Sequence, residues 1–135
     1  MEKYGGLVDQ LGIVFTSISP THVEATMPIT NAILQPHGFV HGGATLSLLE
    51  TVASFGAQAR CNLEVERPFG IGIEARHRKA GRSGTIRGVA TFGREEGSSQ
   101  IWNVVAYDDE GDALSVGTFT TKIVSLERLR QKGLA

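Results

Sequence analysis

Apolar residues follow two rhythms along this chain, and the change of rhythm marks out its elements. From residue 42 to residue 59 the sequence reads GGATLSLLETVASFGAQA. That stretch is apolar almost throughout and far too long for a strand, so it predicts a helix over 42–60. On either side the rhythm shortens. Residues 13–18 and 22–29 alternate as strands do, joined at Ser19-Pro20-Thr21, where proline favours a turn. After the helix, residues 70–79, 85–94, 99–107 and 113–124 read as strands, separated by turns in which Gly lies beside Ser, Asp or Glu. The stretch 1–11 is expected to be a short helix packing Leu7 and Leu11, 30–40 a loop, 62–68 a polar connection, and 125–132 a short helix capped by Ser125. Two strands, one long helix and a run of hairpins predict an α+β domain, with a curved antiparallel sheet wrapped around the helix.

Composition narrows the classes of function. A chain of 135 residues is expected to form one domain over 1–135, large enough to bury a core. A net charge of -1 argues against a nucleic-acid partner, which calls for a basic excess. No apolar run reaches the ~18 residues of a membrane span. Cys61 is the single cysteine, and the first residues lack a basic segment followed by an apolar one, so the expected location is the cytoplasm.

Within the helical stretch Glu50 is the only ionisable side chain. A helix apolar nearly all round is expected to be buried on most sides, where a lone carboxylate is costly unless something uses it. Gly42 and Gly43 open the helix and leave backbone N–H groups bare at its positive end. A helix end able to activate an electrophile and a carboxylate on the same element point to attack on a carbonyl. Ser47, Glu50, Ser54 and Gln58 recur at helical spacing, which fits either a solvated stripe or a face turned to a ligand or a second protein surface. Arg76, His77, Arg78, Lys79, Arg82 and Arg87 form an acid-free basic segment. It reads either as a guarded strand edge or as a dock for a polyanionic small molecule. The GxGxxA match at 70–75 opens a strand rather than a helix and is set aside. His37 and His41 lack further ligands at zinc spacing, so no metal is expected.

The run Gln35-Pro36-His37-Gly38-Phe39-Val40-His41-Gly42-Gly43, with Glu50 nine positions after His41, resembles the hotdog-fold acyl-CoA thioesterases. Within them it is similar to the 4-hydroxybenzoyl-CoA type, with Glu rather than Asp at the acidic position. The resemblance runs over nearly the whole chain and implies a hotdog fold. By the resemblance, Glu50 is the nucleophile or general base and the Gly42 N–H donates to the thioester oxygen. Gln35 and His41 position the thioester, and Ser54 holds the carboxylate or a water. Arg76, His77, Arg78 and Lys79 would hold coenzyme A, which is part of the substrate; no other cofactor is required. Relatives often carry Asn where Arg76 stands and Pro where Ala80 stands, so the grip on coenzyme A departs from the family pattern. The implied activity is hydrolysis of an aryl- or medium-chain acyl-CoA. The implied assembly is a homodimer at least, or a dimer of dimers. One alternative is an acyl-thioester hydratase or dehydratase, though the Glu after His-Gly-Gly favours the hydrolase. The other is a non-catalytic acyl-CoA-binding protein. Geometry points to a shared site as well: Gly42 and Glu50 are eight residues apart, a rise of about 12 Å, too far for both to reach one carbonyl within a chain.

Overall fold

The computed structural model describes residues 3–134. Its elements are α1 (Gly6–Gln10), β1 (Val14–Ile18), β2 (His22–Pro28), α2 (Gly42–Arg60), β3 (Glu66–His77), β4 (Thr85–Glu96), β5 (Ser99–Tyr107), β6 (Ala113–Ser125) and α3 (Leu126–Gln131), with a 3-10 turn at Asn31–Ile33. All six strands join one sheet in the order β1-β2-β4-β5-β6-β3, and every pairing is antiparallel. Helix α2 packs across its concave side, touching each strand. This is the α+β arrangement that the element order predicts and the hotdog architecture that the resemblance implies.

The two rhythms have direct structural causes. On β2, Val23, Ala25 and Met27 point inward, and on β5 Gln100, Trp102, Val104 and Ala106 do the same, as a period of two requires. On α2 the buried positions are Thr45, Leu48, Leu49, Val52, Ala53, Gly56 and Ala57, a stripe at helical spacing. Each large apolar side chain fully buried there contributes roughly 1.5–3 kcal/mol. Helix and sheet approach so closely that a Cβ on Gly56 would lie 2.5 Å from the Trp102 ring.

Four expectations change. Helix α2 is buried along one stripe rather than on most sides, and its outward positions Glu50 and Gln58 are exposed. Strand β3 starts at Glu66, inside the stretch read as a connection, because Glu66, Arg67 and Pro68 pair with Ser125, Val124 and Ile123 of β6. An edge strand has no second neighbour to impose alternation on its outer residues, which hides it from pattern reading. Leu7 of α1 is 60% exposed, while Leu11 packs against the core; Met1 and Glu2 lie outside the described residues. The loop at 30–40 contains a tight hairpin, described below.

Among the described residues no helix is long and apolar enough to cross a membrane.

Candidate active site

The segment before α2 folds back on itself for reasons visible in its residues. Gln35 N–H donates to the Phe39 carbonyl at 2.7 Å and Gly38 N–H to the Gln35 carbonyl at 2.9 Å. Pro36 sits at the first corner, where its fixed φ belongs, and Gly38 takes φ +87°, a value that favours glycine. The Gln35 side-chain oxygen accepts the His37 N–H. That bond commits the oxygen and leaves the amide NH2 as the free donor of Gln35. Two backbone bonds moor the hairpin to its surroundings: Val40 N–H to the Gly81 carbonyl at 2.8 Å and His41 N–H to the Ile33 carbonyl at 2.7 Å.

His41 then caps the helix. Its Nδ1 accepts the Gly43 N–H at 2.9 Å, and its carbonyl accepts the N–H groups of Ala44 and Thr45. Of the first four N–H groups of α2, three are thereby occupied. The fourth, that of Gly42, makes no hydrogen bond among the described residues. It carries the partial positive charge of a 19-residue helix and borders a cleft of about 370 Å³.

The cleft brings together five of the predicted catalytic and cofactor positions with new ones. Gln35, Gly42, His77, Arg78 and Lys79 line it, joined by Thr45, Gly81 and Ser115. His77 reaches in from the end of β3. Its Nδ1 lies 2.7 Å from the Ser115 hydroxyl, and its Nε2 is 2.7 Å from where a Cβ on Gly42 would be. The imidazole therefore sits against the helix end rather than out on the rim. Thr45 and Ser115, both buried, escaped sequence reading; Ser115 faces His77 only through the register of β3 on β6.

Other predicted residues lie elsewhere. Glu50 and Ser54 do not line the cleft; Glu50 is exposed on the outer face of α2 and Ser54 is half-buried there, with no hydrogen bond between them. The side chain of His41 serves as a cap. Arg76 borders a neighbouring groove with Leu46, Ile73 and Val116. Lys79 is held by two carboxylates, Asp108 and Asp112, each at 2.7 Å. Those hydrogen bonds push the Lys79 ammonium above its ordinary range, and the one from Lys79 holds the Asp108 carboxyl below its own. A lysine so neutralised is a poor phosphate dock. Arg76, Arg78 and Arg82 carry no ion pair among the described residues; Arg82 lies 4.9 Å over the Phe39 ring.

Comparison with known proteins adds three findings. Residues 37–115 match the family model described as the thioesterase superfamily. The proofreading thioesterase EntH of Cronobacter sakazakii is 35% identical over 123 residues, 89% of this chain and 87% of that protein. The 1,4-dihydroxy-2-naphthoyl-CoA hydrolase of Escherichia coli is 32% identical over 89% of this chain and 88% of its own length. Among solved structures, a thioesterase from Haemophilus influenzae superposes with a TM-score of 0.82 at 29% identity, covering 88% of this chain and 82% of that one.

Proposed function

This chain belongs to the thioesterase superfamily, and we propose that its substrate is an aryl- or medium-chain acyl-CoA, hydrolysed to the free acid and coenzyme A at a site shared between two copies of the chain. The enzyme is a thioester hydrolase. The observation that carries the finer reading is the Gly42 N–H, the one unoccupied donor at the start of α2, opening onto a cleft beside the free amide of Gln35.

A thioester carbonyl in that cleft accepts from Gly42 N–H and the Gln35 amide. As the carbon is attacked, charge gathers on the oxygen, where a fixed donor at a helix N-terminus stabilises it more than it stabilises the ground state. Glu50 acts on the carbonyl carbon, as nucleophile or as base for a water, with Ser54 one helical turn on to hold the carboxylate or the water. The electron pair leaves with the coenzyme A sulfur. Arg78, at the cleft, and Arg76 beside it are the free cations for its phosphates.

Glu50 is outside this cleft, and the rise of about 12 Å from Gly42 keeps it from the same carbonyl. A two-fold partner supplies it. Strand β3 supports that reading: it is a 12-residue sheet edge whose outer groups lack a neighbour, with Phe69 47% and Ile71 60% exposed. Gln35 and Gly42 come from one copy, Glu50 and Ser54 from the other, in a homodimer or a dimer of dimers. The acidic residue fits the 4-hydroxybenzoyl-CoA type, and the relative named for a naphthoyl-CoA favours an aromatic acyl group.

A free-thiol assay over aryl-, short-, medium- and long-chain acyl-CoAs, paired with light scattering for mass in solution, tests both halves. Release of thiol from aryl-CoA by a dimer or larger species is the expected result. Activity in a monomer, or thiol release from no acyl-CoA, refutes it.

A further inference from the structure

The Gly42 N–H and the Gln35 amide both face the reacting oxygen in the reading above, and preorganised oxyanion sites gain from each further fixed donor. The His77 ring stands beside Gly42, its Nε2 2.7 Å from the Cβ position of that glycine, where it can supply such a donor. Whether Nε2 can donate depends on where the neutral ring keeps its proton, and that is decided by the bond at the other nitrogen. Nδ1 faces the Ser115 hydroxyl at 2.7 Å. Ser115 is 1% exposed, and its hydroxyl has no other hydrogen-bond partner among the described residues. Were Nδ1 to donate, the Ser115 O–H would be left buried and unpaired, a state that folded proteins avoid. The arrangement that satisfies both groups has the serine O–H donating to Nδ1, which leaves the proton on Nε2.

We propose that His77 is a catalytic residue whose Nε2–H joins the Gly42 N–H and the Gln35 amide in holding the thioester oxygen, and that Ser115 is the positioning residue that sets the His77 ring and its tautomer. The proposal rests on the thioester reading of the cleft. It moves His77 from the coenzyme A grip to the reacting carbonyl and adds a buried serine from another strand. No proton is transferred in this role; His77 donates a hydrogen bond that strengthens as charge builds on the oxygen and weakens as the sulfur departs.

Two measurements test it. The first needs no substrate and no variant: nitrogen NMR of the wild-type imidazoles at about pH 8.5, well above the ordinary histidine pKa of about 6.5. His77 is expected with Nε2 protonated and Nδ1 bare; the opposite tautomer overturns the assignment, whatever the acyl-CoA panel returns. The second is a kinetic cycle. His77→Ala should lower kcat by roughly 10²-fold, the usual effect of losing one such donor, with KM for the acyl-CoA little changed. Ser115→Ala should lower kcat by a smaller factor, and adding it to His77→Ala should cost nothing more, because the serine acts only through the ring. A drop in KM-side binding alone for His77→Ala returns His77 to the coenzyme A grip. An equal loss from Ser115→Ala in both backgrounds makes the serine merely structural. Either result overturns the proposal.

Discussion

The two ends of helix α2 are built on opposite rules. At the C-terminal end polar groups are matched. The Arg60 guanidinium donates to Glu95 and to the Pro20 carbonyl and lies 3.6 Å over the Phe92 ring. The Trp102 indole donates to Gln100 at 3.0 Å, whose amide faces the Cys61 sulfur at 3.9 Å. At the N-terminal end one backbone N–H and one side-chain NH2 have no partner among the described residues, and an imidazole lies beside them. Both groups are partly exposed and open onto the cleft, so a ligand can take them up. One end of the helix holds the fold; the other is where the proposed chemistry takes place.

The sharpest way to break that contrast is at Glu50, between the two ends. Glu50→Gln should cut turnover by about 10²–10⁴-fold, while the thermal midpoint stays put because the side chain is exposed on a single chain. Turnover near normal would return Glu50 to a solvated stripe. Mixing and refolding Gln35→Ala with Glu50→Ala chains should restore about a quarter of the sites if each is shared across a two-fold axis. No recovery from a proven heterodimer would put the whole site in one chain.

Smaller effects sharpen the picture. Arg78→Ala should raise KM for acyl-CoA roughly 10-fold with kcat kept, an effect that fades in added salt. Lys79→Ala should raise it less, since its charge is already matched by Asp108 and Asp112. Equal increases would mean that the carboxylates yield the lysine to substrate. At the other end, Gly56→Ala drives a methyl into Trp102 and should cost about 1–3 kcal/mol in urea unfolding without changing kcat, the mirror image of Glu50→Gln.

Cys61 supplies the mildest test. Burial, then the neighbouring Glu66 carboxylate, pushes its thiol up to about 11 from 9.0. The folded state therefore holds this proton more tightly than the unfolded one. Its contribution to stability is complete below about pH 9 and is lost as pH climbs toward 11. Cys61→Ala should flatten that alkaline decline, and iodoacetamide should label native Cys61 at neutral pH more slowly than free cysteine. Fast labelling would show the matched end to be loose.

What could be read from the residues alone follows from how local each cause is. Helix α2 was legible to the residue, from 42 to 60, because its cap and its apolar run are contiguous. Hairpin turns at Gly97 and Gly111 were legible for the same reason. The first residues of β3 were not, since only pairing with β6 makes Glu66–Pro68 a strand. Of the candidate site residues, Gly42 and Glu50 stood out from the helical stretch itself, and Gln35 from a resemblance carried by one continuous motif. Ser115 lies 38 residues from His77, and the carboxylates that hold Lys79 lie 29 and 33 residues from it, so their roles appear only once strands are in register. The burial expected for Glu50 failed because one sheet covers only one side of a helix; a periodic pattern cannot say whether the other side meets water or a second chain.

The hairpin before α2 has a consequence for how substrate is received. It is cross-linked internally between Gln35 and Phe39, moored to Gly81 and Ile33, and its Gln35 side-chain oxygen is tied to the His37 N–H, so the segment that presents the Gln35 amide is braced by the chain's own hydrogen bonds. Ordering a mobile loop around a ligand is charged against affinity; here that entropy is lost during folding instead. Such a rim behaves as a rigid gauge rather than a lid. On the proposed function, acyl groups are then admitted or refused by fit at the first encounter, and added viscogen should slow turnover only to the extent that product departure limits it.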